Sequence, residues 1–167
     1  MGVAPKKKLA LDTNVLFDLA NESDFTHTFR EVHQERGYSL EVPPTVIQEL
    51  SHLALETHCN ESALALKALQ KIRSWGLLPF DLIPTGHALA EQFSKKLIDK
   101  GFLPEGEFND GLILAETALV SIPILATSDK HLLHIDNAVL RVQLEDSDLS
   151  AVSVVHPKTL LGALAPY

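Results

Sequence analysis

Two aspartates follow apolar runs that are typical of buried strands. Asp12 comes directly after residues 9–11, and Asp129 lies three residues beyond the run 122–126. Continuous apolar runs of this kind are typical of parallel sheets that are covered on both faces. The carboxyl ends of parallel strands meet at one edge of the sheet, where ligands bind. We therefore expect both side chains to face one crevice, although either aspartate could simply cap a helix.

Two further carboxylates are expected near that crevice. Asp110 lies in the first turn of the most apolar predicted helix, residues 109–120, which must begin close to the core. A favourable interaction with the helix dipole is the alternative reason for an acid there. Glu49 lies about 90° from the centre of the apolar stripe of its own predicted helix. At this border of the buried face, a glutamate either reaches a cleft beside the sheet or is solvated.

The chemistry of such a crevice follows from its charges. Carboxylates that share one cleft repel one another and raise the pKa of at least one member. A hard divalent cation relieves this repulsion, and Mg²⁺ prefers oxygen ligands. Two such ions can activate a water molecule and stabilise the leaving oxygen in the hydrolysis of a phosphodiester. The residue types therefore favour metal-dependent phosphodiester chemistry.

Four short segments carry these acids: LDTNVL at residues 11–16, Glu49-Leu50, Asn109-Asp110 followed by Ile113 and Ala115, and Thr127-Ser128-Asp129. In order and approximate spacing, the set resembles the four motifs of the PIN domain family. The resemblance covers most of the chain and implies a three-layer α/β/α sandwich around a central parallel sheet. It also implies metal-dependent ribonuclease activity. For many small members it implies a role as a VapC-like toxin that is paired with an antitoxin protein.

The resemblance also implies which residues form the site. The acids that would hold Mg²⁺ or Mn²⁺ and act in catalysis are Asp12, Glu49, Asp110 and Asp129. Asn14 and Thr127 would be polar neighbours that orient carboxylates or waters. Glu116 lies about 120° around the helix from Asp110. Because a buried charge normally needs a partner, we expect Glu116 to form an ion pair or an interface contact, with an accessory role in the site as the alternative.

The pattern along the chain alternates apolar runs with helical periodicity, which predicts a parallel sheet with helices on both faces. The predicted strands are 9–11, 38–42, 80–83, 122–126, 138–144 and 152–155. The predicted helices are 13–20, 24–36, 45–58, 61–75, 85–100, 109–120, 130–134 and 158–164. Because neither a repeat nor a long linker divides the chain, residues 1–167 are predicted to form a single domain.

The charge balance limits how the chain could bind RNA. With 14 basic and 22 acidic residues, the net charge is −8. A generic nucleic-acid binder has a basic footprint, which this chain lacks. An acidic metal site meets phosphate through its cations, so RNA remains a possible substrate. The candidate contacts to an RNA backbone are Lys130 and the group Lys95, Lys96 and Lys100.

Composition also predicts the compartment. No apolar stretch approaches the roughly 18 residues of a membrane helix, and the basic residues 6–8 lack the apolar region of a secretory signal. Cys59 is the single cysteine, so no internal disulfide can form. We expect a cytoplasmic protein that makes no membrane contact.

Two classes of function fit these features. The first is an endoribonuclease that cleaves single-stranded or structured RNA, with an antitoxin partner if the chain is a toxin. The second is a non-catalytic binding or regulatory module that acts through a protein partner or a homodimer, which the scarcity of basic residues favours. A phosphotransfer enzyme of the haloacid dehalogenase type is disfavoured, because Asn14 stands where a second aspartate is needed.

Overall fold

The computed structural model of the protein describes residues 6–56 and 60–164. Its strands are β1 (Lys7–Leu11), β2 (Tyr38–Val42), β3 (Leu78–Pro79), β4 (Ile124–Ala126) and β5 (Ser153–Val155). Its helices are α1 (Thr13–Ala20), α2 (Asp24–Glu35), α3 (Pro44–Leu55), α4 (Asn60–Lys71), α5 (Pro84–Asp99), α6 (Phe108–Leu119), α7 (Lys130–Leu133), α8 (Asn137–Asp146) and α9 (Pro157–Ala163), with one 3₁₀ turn at Glu105–Glu107. The third predicted helix was expected to end at His58. His58 and the single cysteine, Cys59, lie outside the described residues.

The five strands form one parallel sheet in the order β3-β2-β1-β4-β5. The central strand β1 pairs with β4 so that Ala10 lies opposite Leu125, and Leu11 lies opposite Ala126. All four residues are fully buried, because helices cover the two faces of the sheet. The α/β/α sandwich predicted from the sequence is therefore confirmed.

None of the helices within residues 6–56 and 60–164 combines the length and the apolar character needed to cross a bilayer.

The segment predicted as a strand at residues 138–144 is part of helix α8. Asp136 caps this helix, since its Oδ1 accepts hydrogen bonds from the first two backbone N–H groups that follow residue 137. The buried residues of the helix are Leu140, Gln143 and Leu144. This spacing is that of one helical face and not of a strand. The strand prediction was therefore wrong.

The strand predicted at residues 80–83 was also wrong. The edge strand β3 lies just before it, at Leu78–Pro79. Asp81 Oδ1 accepts a hydrogen bond from Leu82 N at 2.8 Å and lies 2.9 Å from His87 Nε2. These local contacts turn the chain into α5, so residues 80–83 do not extend the strand.

Candidate metal centre

A buried side-chain hydrogen bond joins the ends of β1 and β4. Asp12 N donates to Ala126 O at 3.1 Å, which brings Asp12 beside Thr127. Thr127 Oγ1 donates to Asp12 Oδ2 at 2.6 Å, and both residues are buried. The other oxygen, Oδ1, accepts from Thr13 N at 2.7 Å, so Asp12 also caps α1. The carboxylate is therefore held in one orientation.

Asn14 connects the first turn of α1 to the loop after β4. Its Nδ2 lies 3.2 Å from Asp12 Oδ2 and 3.1 Å from Thr127 Oγ1, and it donates to both. Its Oδ1 accepts from Ser128 N at 3.1 Å. In the same loop, Asp129 N donates to Thr127 Oγ1 at 2.9 Å. One hydrogen-bond network therefore fixes Asp12 and the backbone of Asp129.

Asp110 and Asp129 lie together with a third acid, Glu107, which sequence reasoning missed. One carboxylate oxygen from each of the three lies within 4.8 Å of the other two. Asp110 is in the first turn of α6, Asp129 caps α7 by accepting from His131 N at 2.8 Å, and Glu107 ends the 3₁₀ turn. His131 Nε2 also lies 3.7 Å from Glu107 Oε1. The signal for Glu107 was its position three residues before Asp110, a spacing that brings side chains together in a helical turn.

Glu49 approaches the cluster from α3. Thr13 Oγ1 donates to Glu49 Oε1 at 3.0 Å, which connects α3 to the first turn of α1. The negative charges of Asp12, Glu116 and Glu107 all act on Glu49. Asp12 and Glu49 stand outside the tight group of three, but they share its electrostatic field. The structure thus brings the four acids singled out from the sequence to one edge of the sheet.

Glu116 is not one of the three clustered acids, although its charge acts on Glu49, and it is buried, with 2% of its surface exposed. Its carboxylate accepts hydrogen bonds from Thr45 N at 3.1 Å and from Thr45 Oγ1 at 2.5 Å. No lysine, arginine or histidine in the described part of the chain forms an ion pair with it. The expectation of an ion pair was therefore wrong, because hydroxyl and amide donors satisfy the buried charge.

The contact of Glu116 explains how α3 begins. The residue at the N-cap position, Pro43, makes no capping hydrogen bond through its side chain. Free N–H groups at a helix start need acceptors, and a negative charge there is favoured by the helix dipole. Glu116 supplies both from the neighbouring helix α6. Since Glu49 lies one turn beyond Thr45, this contact also helps to position Glu49.

Burial and mutual repulsion raise the pKa values of the clustered acids. Burial is the main cause for Asp110, whose pKa rises to about 9, and the charges of Asp12 and Asp129 add to the rise. Burial likewise raises the pKa of Glu49 to about 7. The pKa of Asp12 is raised by burial, with an opposing effect from the hydrogen bonds it accepts. Without a cation, these groups cannot all be ionised at neutral pH.

The donor set fits a divalent cation. Asp110 Oδ2 is buried and accepts no hydrogen bond from an N–H or hydroxyl group of the described residues, and the carboxyl group of Glu107 lies within hydrogen-bond reach of the Asp110 side chain. A buried carboxylate oxygen without a hydrogen-bond donor costs free energy that a bound cation would recover. The neighbouring carboxylates of Glu107 and Asp129 add further oxygen donors, and sites built from oxygen suit Mg²⁺ or Mn²⁺. These three residues could therefore hold an ion, with Asp12 beside them.

Two of the lysines considered as RNA contacts are engaged elsewhere. Lys96 Nζ donates to Ser147 Oγ at 3.0 Å, and Lys100 Nζ donates to Gln143 Oε1 at 2.9 Å. Both contacts connect α5 to the α8 region. Lys130 directly follows Asp129 and is exposed, so it is better placed to meet a ligand of the acidic cluster.

Comparison with known proteins identifies a family. A sequence model of the PIN domain matches residues 9–138, a span that contains Glu107 and the four acids predicted from the sequence. No curated protein sequence shows significant similarity to this chain.

Solved structures of low sequence identity share the fold. VapBC from Salmonella typhimurium, solved bound to DNA, is similar at 18% identity with a TM-score of 0.61, covering 90% of this chain and 98% of that chain. VapBC2 from Rickettsia felis, bound to a promoter DNA fragment, is similar at 16% identity with a TM-score of 0.60, covering 89% and 98%. FitAcB from Neisseria gonorrhoeae is similar at 16% identity with a TM-score of 0.51, covering 90% and 98%.

Proposed function

Since the chain belongs to the PIN domain family, we propose that it is an endoribonuclease that hydrolyses RNA phosphodiester bonds with Mg²⁺ or Mn²⁺. The observation that carries the proposal is the group formed by Glu107, Asp110 and Asp129, whose oxygens lie within 4.8 Å of one another. Asp110 Oδ2 is buried without an N–H or hydroxyl donor and faces the carboxyl group of Glu107, which supports a cation at this point.

In this proposal, different residues bind the metal and orient the neighbouring carboxylate. Glu107, Asp110 and Asp129 would hold the ion, and Thr127 and Asn14 keep the neighbouring Asp12 carboxylate oriented. When bound, the metal supplies a Lewis acid that lowers the pKa of a water molecule and offsets charge on the phosphate.

We assign proton transfer to Glu49 and not to Asp110, whose pKa is raised further than that of Glu49. A general acid or base works best when its pKa lies near the working pH. In the metal-free protein, burial raises the pKa of Glu49 to about 7, whereas Asp110 belongs to the group of acids that would hold the ion. Because Glu49 Oε1 accepts from Thr13, its Oε2 is the atom that we expect to take or give the proton.

An assay with end-labelled single-stranded and hairpin RNAs tests the proposed activity. We expect internal cleavage with Mg²⁺ or Mn²⁺, none with EDTA, and rates at least about 100-fold lower for Asp12→Asn and Asp110→Asn. Cleavage that survives chelation and both substitutions contradicts the proposal. Metal binding without hydrolysis of any RNA favours the non-catalytic binding module instead.

The likeness to VapBC structures supports a second proposal, that the chain is the toxin of a toxin–antitoxin pair. In this case, expression of the chain in a bacterial host arrests growth, the Asp110→Asn variant does not, and an antitoxin encoded next to it relieves the arrest. Growth that continues normally at high levels of folded wild-type protein contradicts this role.

We propose a cytoplasmic homodimer in which residues 1–167 form one domain. We expect cell fractionation to recover the protein in the cytoplasm and light scattering after size exclusion to give the mass of a dimer. A single domain should unfold in one cooperative transition.

A further inference from the structure

A cavity of about 300 Å³ opens beside the acidic cluster, between α3 and the start of α6. Its lining residues are Gln48, Glu49, His52, Leu53 and Asn109. Glu49 lines the cavity and feels the charge of Glu107 in the cluster, and Asn109 directly precedes Asp110. A molecule that occupied this cavity would therefore lie next to the proposed metal centre.

The polar side chains of the cavity have hydrogen-bonding capacity to spare. Gln48, His52 and Asn109 are exposed, and their side chains make no hydrogen bond to other residues within 6–56 and 60–164. Each amide offers two donors and an acceptor in one plane. Half-buried Leu53 adds an apolar wall, and the imidazole ring of His52 adds a flat surface. Such a lining is suited to a planar, polar, uncharged group.

We propose that this cavity binds a nucleobase of the RNA substrate, next to the phosphate that is cleaved. The assignment rests on the proposed ribonuclease function and adds a base-recognition subsite to it. Side-chain amides read the edges of unpaired bases through paired hydrogen bonds, and flat side chains stack on their faces. The volume lies at the lower end of the range for small-ligand sites, which suits one base better than a folded partner.

The charge of the protein favours recognition through the base. The net charge is −8, so the long-range field does not attract a polyanion. Contacts between amides and an uncharged base are independent of that field. A base subsite therefore supplies affinity and sequence preference that the few free lysines cannot supply.

Nuclear magnetic resonance with ¹⁵N-labelled full-length protein tests the proposal without metal or hydrolysis. The probes are adenosine, guanosine, cytidine and uridine, added separately in EDTA. We expect chemical-shift changes at the side-chain NH₂ signals of Gln48 and Asn109 and at the backbone of Leu53, with one nucleoside bound most tightly. Gln48→Ala and Asn109→Ala should each weaken this binding about fivefold, the effect of losing one neutral hydrogen bond.

The matched control is Gln92→Ala, which removes an exposed amide from α5 and should leave nucleoside binding unchanged. Wild-type spectra that do not change at these positions with any nucleoside overturn the proposal. Binding that persists unchanged in the Gln48→Ala/Asn109→Ala double variant overturns it as well.

A cleavage experiment separates this proposal from the proposed function. Sequencing of the products of a random-sequence RNA should show a preferred base beside the cut, and Asn109→Ala should reduce that preference. Metal-dependent cleavage with no preference in the wild-type protein overturns the base subsite alone. Nucleoside binding at the two amides by a protein that cuts no RNA overturns the nuclease activity and supports the base site.

Discussion

Gly111 lies directly against Ser94, and a Cβ atom at residue 111 would come within 2.1 Å of Ser94 Oγ and 2.9 Å of Ser94 Cα. Helices α5 and α6 therefore approach each other at backbone distance. Ser94 Oγ also donates to Phe108 O at 2.6 Å, at the start of α6. Since Asp110 lies between residues 108 and 111, this contact positions one of the acids that the proposed metal centre needs.

Gly111→Ala should therefore disturb both stability and metal binding. The added methyl group forces α6 away from α5, with a cost of about 1–3 kcal/mol in unfolding free energy. Urea unfolding and Mn²⁺ titration measure the two effects. Gly162→Ala is the control, because residue 162 has open space in α9 and a helical alanine is favoured there. A Gly111→Ala protein with wild-type stability and Mn²⁺ affinity contradicts the role assigned to this contact.

Removal of the Glu116 carboxylate should weaken the start of α3. Glu116→Ala leaves two buried donors of Thr45 without an acceptor and opens a cavity, so we expect a loss of about 3 kcal/mol in unfolding free energy. Glu116→Gln keeps one acceptor oxygen and should lose about 1 kcal/mol. Denaturant melts measure both, with exposed Glu35→Ala as the control. If both Glu116 variants are as stable as the wild type, the contact of Glu116 with Thr45 does not stabilise the start of α3.

Thr127→Val removes the hydroxyl that bonds Asp12, Asn14 and the backbone of Asp129. Because groups that orient metal ligands typically affect affinity by 10- to 100-fold, we expect Mn²⁺ binding to weaken by about that factor. Isothermal titration calorimetry measures the change. Thr159→Val, which alters an exposed threonine of α9, should bind Mn²⁺ as the wild type does. An unchanged affinity of Thr127→Val would show that Asp12 needs no such support.

The metal-free protein should lose stability as pH rises. The pKa of Asp110 is about 9 in the folded protein, whereas that of an unperturbed aspartate is 3.8. The folded state therefore binds this proton more tightly than the unfolded state does. Its stabilising contribution is complete below about pH 4 and is lost progressively as pH rises towards 9.

Asp110→Asn, which carries no ionisable group, should remove this contribution to the pH dependence. In EDTA at pH 8, we expect its melting temperature to exceed that of the wild type by about 5 °C, after allowance for solvent screening, with a smaller difference at pH 5. Mg²⁺ should then stabilise the wild type and not the variant. Exposed Asp146→Asn is the control. A melting temperature of Asp110→Asn below that of the wild type at pH 8 would argue against the raised pKa.

The positions of Asp12 and Asp129 could be predicted because each follows an apolar run that is typical of a buried parallel strand. The carboxyl ends of such strands lie at one edge of the sheet. Glu107 could not be placed in the same way, since a 3₁₀ turn has no hydrophobic period that reveals it. Its proximity to Asp129 depends on how α6 packs, and the close contact at Gly111 decides that packing.

Helix α8 was mistaken for a strand for a different reason. Its valines favour a strand locally, but Val139 and Val142 are 37% and 51% exposed, while Leu140 and Leu144 are fully buried. Packing of one helical face therefore outweighs the local preference. The capping residue Asp136 was the available signal for a helix at this position.

The most direct test of the central claim is a crystal structure of the protein with Mn²⁺, measured with anomalous scattering. We expect an anomalous peak bonded to oxygens of Glu107, Asp110 and Asp129, with Asp12 beside it. The peak should be absent from crystals of Asp110→Asn grown in the same way. Ordered carboxylates without a peak between them, in crystals whose Mn²⁺ concentration saturates known sites of this type, would contradict the assignment of this cluster as a metal centre.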